Sequence, residues 1–170
     1  MRALSALIAA AMLAFAPAAL AQDKDRPTTQ AQIDYVGFRR LADEVQPLRA
    51  QRLLSLEAFQ RMAREPNTIV LDARSADAFA QGHIAGAINL PFTDFTDSSL
   101  RAALGDPEAR VLIYCNNNFS NNAAPVILKR VEVALNIQTF INLYGYGYRN
   151  VYELGEVVDF NAPEVRWVRG

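Results

Sequence analysis

The sequence predicts an α/β domain in which a parallel central sheet is flanked by helices on both faces, with an N-terminal helical extension. Two runs carry that prediction. Thr68–Asp72 and Val111–Tyr114 are short, β-branched and almost wholly apolar, as strands covered on both faces are. Segments of helical spacing lie around them, and strands joined through helices run parallel. Hydrophobic residues make up 51% of the chain, enough to give one ordinary domain a core.

The first residues read as a secretory signal. Met1 and Arg2 supply a positive start, an Ala/Leu-rich run follows, and Ala19–Leu20–Ala21 offers a small-x-small cleavage pattern. The mixed charges of Asp23, Lys24, Asp25 and Arg26 differ from the basic cluster that stops transfer of a membrane span. The sequence therefore predicts cleavage after Ala21 and a periplasmic or secreted chain. A polar tether over residues 22–32 then leads into a domain over 33–170, with its core at about 52–160.

Tyr35, Phe38, Leu41, Ala42 and Val45 recur at three- and four-residue spacing, which predicts an amphipathic helix from Ile33 ended by Pro47. Ser55 is a good N-cap for a second helix running to about Arg64. After the strand 68–72, Ser75 caps a helix that Gly82 stops. The apolar stretch Ala87–Leu90 ends at Pro91, and a helix over Ser99–Leu104 leads through Gly105–Asp106–Pro107 to the strand 111–114. Beyond Cys115, the polar loop 116–120 is predicted to enter a helix from about Asn122 to Leu135, with Pro125 in its first turn. A last strand over Thr139–Leu143, a turn over Tyr144–Gly147 and a short helix ended by Gly155 complete the domain.

Lys and Arg number 17 against 18 Asp and Glu, a net charge of −1. That balance excludes the basic footprint of a nucleic-acid binder and the basic face of a membrane-surface protein. The single cysteine, Cys115, has no internal disulfide partner, and the single histidine, His83, gives no basis for a Cys/His zinc site. No metal and no cofactor are predicted.

Cys115 comes directly after a strand and before a predicted helix, where open α/β sheets place their ligand crevice. Loop amides and a helix N-terminus there favour an anion, which predicts a lowered thiol pKa. Lowering it by two units from about 8.5 would turn roughly 3% thiolate at pH 7 into about three-quarters. The alternative is a small buried hydrophobe at a strand end.

Three segments now resemble the rhodanese homology domain over roughly residues 52–160: Val70–Arg74, Gly82–Pro91, and Val111–Cys115 with its following loop. The middle one, Gly-His-Ile-Ala-Gly-Ala-Ile-Asn-Leu-Pro, is similar to that family's signature almost residue for residue. The resemblance implies sulfurtransferase chemistry in which a Cys115 persulfide carries a sulfane sulfur from a small donor to a thiophilic acceptor. It casts Cys115 as nucleophile, Asn116, Asn117, Asn118, Phe119 and Ser120 as the substrate-binding cradle, and Asp72, Arg74 and His83 as scaffold near the site. Implied partners are a small sulfur-containing substrate or thiol acceptor and a periplasmic protein, without nucleic acid and without stable membrane insertion after cleavage.

The departures matter as well. Family loops usually hold glycine and often arginine after the cysteine, whereas residues 116–120 hold neither, so anionic thiosulfate is expected to bind weakly. The usual acidic position is Ala78, with Asp77 one place earlier, which leaves the carboxylate partner of Arg74 open. Related phosphatases need Cys-x5-Arg, and Asn121 occupies the arginine position. Asn118–Phe119–Ser120 fits a glycosylation sequon by coincidence. Lys129 and Arg130, two turns into the predicted helix, are expected to face solvent, and Tyr144, Tyr146 and Tyr148 either line the crevice or pack as core or rim. A non-catalytic binding or redox-sensing module acting through Cys115 is the alternative to the enzyme.

Overall fold

The computed structural model describes residues 31–169; the expected signal segment and nearly all of the tether lie outside them. In chain order the elements are α1 (Tyr35–Ala50), β1 (Leu53–Leu54), α2 (Leu56–Met62), β2 (Thr68–Asp72), α3 (Ala76–Gln81), β3 (His83–Ile84) and β4 (Ala87–Asn89). They continue with α4 (Asp97–Leu104), β5 (Arg110–Tyr114), α5 (Leu135–Gly145), β6 (Val151–Leu154) and β7 (Trp167–Val168). Five strands form one parallel sheet in the order β1, β6, β5, β2, β4. β3 and β7 make a separate antiparallel pair.

Alternation along the strands builds two cores. Leu71, Val111, Ile113 and Val151 meet Val45 of α1, Leu100 and Leu104 of α4, and Phe140 and Leu143 of α5. Val70, Leu112, Tyr114 and Leu154 meet Leu56 and Phe59 of α2 on the opposite face. The predicted class, a parallel sheet with helices on both faces and an N-terminal helix, is the observed one.

Local signals acted where they were read. Ser55 and Ser75 cap α2 and α3 by accepting the N–H of Ala58 and Ala78. α4 starts two residues earlier than predicted because Thr96 and Ser99 form a reciprocal cap: Thr96 Oγ1 accepts the Ser99 N–H (3.1 Å) and Ser99 Oγ accepts the Thr96 N–H (2.9 Å).

Four predicted elements are corrected. α1 runs through Pro47 to Ala50. The proline removes one bond near the helix end, while the following turn delivers Arg49 to an ion pair with Glu153. The helix expected over 122–135 does not form: that stretch is an irregular strap ending in a 3₁₀ turn at Val131–Val133. Asparagine side chains take the backbone groups a helix would have paired. Asn116 Nδ2 donates to the Ile127 carbonyl, Asn122 Oδ1 accepts the Leu128 N–H, and Asn117 bonds both backbone groups of Lys129. The strand expected over 139–143 is instead the middle of α5. Asn136, Thr139, Phe140 and Leu143 are buried at i, i+3, i+4 and i+7, a helical face that the short apolar run conceals. The last sheet strand is β6, where a short helix was expected.

Candidate active site

Cys115 follows β5, in the middle of the sheet, and is only 2% exposed. Its N–H donates to Asn118 Oδ1 (2.9 Å). Asn118 in turn donates through Nδ2 to the carbonyls of Leu154 (2.7 Å) and Glu156 (3.2 Å), and its Oδ1 also accepts from Asn136 Nδ2 (3.1 Å). A buried amide thus ties β5, the end of β6 and the start of α5 into one frame around the cysteine. The same burial leaves the sequon at Asn118 no accessible amide.

The amides facing the sulfur are those of Asn136, Asn117 and Leu135. Two come from the N-terminus of α5, so a helix start does face Cys115, although it begins at residue 135 and not at 122. These amides do not prevail. Burial pushes the Cys115 thiol up, the Glu153 carboxylate adds to that, and the amides offset only part. The predicted lowering of the thiol pKa is therefore corrected to a rise in the resting protein.

Two cavities meet at Cys115. The larger, about 760 Å³, has Arg74, Asn116, Asn117, Lys129 and Arg130 in its lining, with apolar Ile127, Leu128 and Val133 among them. The smaller, about 320 Å³, lies on the side of Arg49, Asn118, Asn136 and Glu153. Lys129 and Arg130 are exposed, as expected, but they lie on a strap and not on a helix, and they line the larger cavity beside Cys115 because Asn116 and Asn117 hold that strap across the site. Phe119 is fully buried in the second core, edge-on to Tyr114 and Trp167, and lines neither cavity; nor does Ser120. Of the proposed cradle, Asn116, Asn117 and Asn118 border the cavities.

The scaffold residues form a buried polar knot beneath the larger cavity. Arg74 Nη2 donates to Asp72 Oδ2 (2.6 Å) and to the Gly82 carbonyl (2.7 Å), and its Nε bonds Asp72 Oδ1 (2.9 Å). Tyr114 completes the knot by donating to Asp72 Oδ2 (2.6 Å) and accepting the Ile84 N–H. Burial opposes the charge on Arg74, but its bonds to Asp72 outweigh that and hold its pKa above the usual guanidinium value. The carboxylate partner of Arg74 is thus Asp72, two residues away, and neither Asp77 nor a residue at position 78 is needed. His83 bonds the Phe79 carbonyl through Nδ1 (2.9 Å) and stacks on the Phe79 ring at 3.7 Å, so it braces the end of α3.

The tyrosine cluster sits at the far end of α5, about 15 Å along the helix from the amides facing Cys115. Tyr146 and Tyr148 donate to the carbonyls of Phe95 and Gly105, and Tyr144 lies under the Arg149 guanidinium; all three are packing residues. Arg49, Glu153, Lys129 and Arg130 are the charged residues near Cys115 that sequence reading missed. The asparagine run was the one local signal for the strap, since asparagine favours pairing with nearby backbone over helix.

A family model for the rhodanese-like domain matches residues 55–156. No curated protein matches the chain in sequence. Among solved structures, EanB in its wild-type form is 21% identical over 66% of this chain, with a TM-score of 0.46; the match spans 25% of EanB. A rhodanese-like domain from Anabaena sp. is 21% identical over 51% of this chain and 74% of its own, with a TM-score of 0.36. A protein from Bacillus halodurans is 18% identical over 68% of this chain and 74% of its own, with a TM-score of 0.43.

Proposed function

The chain belongs to the rhodanese-like domain family, and from that membership we propose that it is a sulfurtransferase carrying a sulfane sulfur as a persulfide on Cys115. The observation that carries this reading is a cysteine at a strand end, facing helix-start amides, at the floor of a cavity lined by Arg74, Lys129 and Arg130. The donor is an anion of the thiosulfate or thiosulfonate class. After Cys115 loses its proton to solvent, the thiolate attacks the donor's terminal sulfur. A new sulfur–sulfur bond forms as the donor's own breaks, and its electron pair leaves with the sulfite or sulfinate. The acceptor's nucleophile then takes the terminal sulfur and returns the thiolate.

The weak anion capture expected from the uncharged loop 116–120 counts only the cations next to the cysteine in sequence. Lys129 and Arg130 supply positive charge from the strap, and Ile127, Leu128 and Val133 suit a donor with an organic body. The raised thiol is consistent with this, because charging the cysteine is costly until cations and amides surround the bound donor.

Intact mass after exposure to a donor tests the reading. The expected result is a gain of one sulfur atom that is absent in Cys115→Ser and removed by cyanide. The second reading, a binding or redox-sensing module, is favoured by the 2% exposure of Cys115. It becomes the better account if Cys115 alkylates but takes sulfur from no donor. Export with cleavage after Ala21, delivering the protein to a periplasmic partner, completes the proposal; amino-terminal sequencing of the exported chain tests it.

A further inference from the structure

Helix α1 precedes the residues that match the family model, yet its last turn reaches the nucleophile. Arg49 Nε donates to Glu153 Oε2 and Arg49 Nη2 to Glu153 Oε1, both at 2.6 Å, a bidentate pair whose carboxylate is 4% exposed. Glu153 pairs in register with Ile113 of β5, so it leaves the same sheet face, one pleat short of Cys115. Arg49, Glu153 and Cys115 all line the 320 Å³ cavity. Buried Val45 locks α1 into the main core, and Leu41 and Ala42 pack against that core, which fixes where Arg49 stands.

We propose that Arg49 is a positioning residue for the chemistry of Cys115: it clamps and neutralises the Glu153 carboxylate, which otherwise opposes the cysteine's anion. The proposal rests on the reading of Cys115 as a nucleophile. Glu153 and Cys115 are themselves buried, at 4% and 2% exposure, so an uncompensated carboxylate there opposes a thiolate or persulfide with little solvent to screen it. Once Cys115 is ionised, its charge and that of Glu153 both favour the Arg49 guanidinium, so the three groups act on one another. The other charged group lining this cavity is Glu156, engaged through Oε2 by the Leu56 N–H at 2.7 Å. Residues 116–118 and 134–137, which border the cysteine from the loop and from α5, carry no charge. Arg74, Lys129 and Arg130 line the larger cavity, which Cys115 also borders. A helix outside the family domain thereby takes part in its active site.

The test is the pH dependence of Cys115 alkylation by neutral iodoacetamide, which needs no sulfur donor. It therefore stands or falls separately from the sulfurtransferase reading. Arg49→Gln should raise the midpoint by about one unit, a roughly tenfold loss of thiolate below it. Glu153→Gln should lower the midpoint, the double variant should return close to the native value, and Arg49→Lys should restore part of the shift. If Arg49→Gln does not fold, the single Glu153→Gln and the double variant decide. A Glu153→Gln midpoint equal to or above the native one, or a double variant that keeps the single variant's full shift, overturns the proposal.

Discussion

Asn117 holds Lys129 by both ends of its amide: Nδ2 donates to the Lys129 carbonyl at 2.7 Å, and Oδ1 accepts the Lys129 N–H at 3.1 Å. A side chain thus does what a strand neighbour would do, and it draws the strap across the mouth of the site. Asn117→Ala should cost about 1–2 kcal/mol in denaturant unfolding, the loss of two partly exposed hydrogen bonds. It should also lower kcat/KM for thiosulfate while leaving iodoacetamide alkylation of Cys115 nearly unchanged. Equal losses in both reactions would show that the variant damages the nucleophile itself.

Lys129 and Arg130 supply charge to the larger cavity from exposed positions, so their effect must be electrostatic and screened by salt. The Lys129→Gln/Arg130→Gln double variant should lose roughly tenfold in kcat/KM for an anionic donor at low ionic strength. Each charge is then worth about 0.7 kcal/mol, a modest value for solvated groups. The deficit should shrink at high salt. A deficit that ignores salt would place these residues outside anion capture.

Burial raises the Cys115 thiol, and this has a stability consequence with a definite sign. A thiol whose folded pKa exceeds its unfolded value keeps its proton longer in the native state. The native state then binds more protons than the unfolded one between the two pKa values, and stability falls as pH rises through that window. Its contribution is complete below the unfolded value of about 8.5 and is lost above it. The native protein should therefore lose stability relative to Cys115→Ala as pH climbs from about 8 to 10. Parallel unfolding curves across that range would contradict the rise.

Gly82 lies so close against the Trp167 indole that an added Cβ would overlap Nε1. The ring has little room to retreat, stacked on Phe160 and edge-on to Phe119. Gly82→Ala should destabilise by about 1–3 kcal/mol, the usual cost of overpacking. Because the Gly82 carbonyl accepts from Arg74, the shift should reach the larger cavity and weaken donor use as well. Unchanged thermal unfolding would mean that β7 yields more easily than its aromatic packing implies.

Up to Cys115 nearly every element was legible, because the signals there are local. Ser55 and Ser75 cap the helices they precede, Gly82 stops one, and β2 and β5 bury both faces, so a strand reads as an unbroken apolar run. After Cys115 three elements were misread: the helix over 122–135 is a strap, the strand over 139–143 is part of α5, and the short helix before Gly155 is the strand β6. The run 139–143 suits strand composition as well as a buried helix face, and five residues do not separate a period of two from one of 3.6.

By itself the sequence determined the fold class, the family resemblance and the place of Cys115 at a strand end, since each rests on residues close together in the chain. Tertiary structure alone decided which charged residues line the cavities at Cys115. Glu153 arrives through strand register, Arg49 through the docking of α1, and Lys129 and Arg130 through a strap held by asparagine side chains. Cys115 and Glu153 are 38 residues apart, Arg49 and Glu153 104. Coulomb interactions act through space between groups that only the folded chain brings together and buries, so no local pattern encodes them.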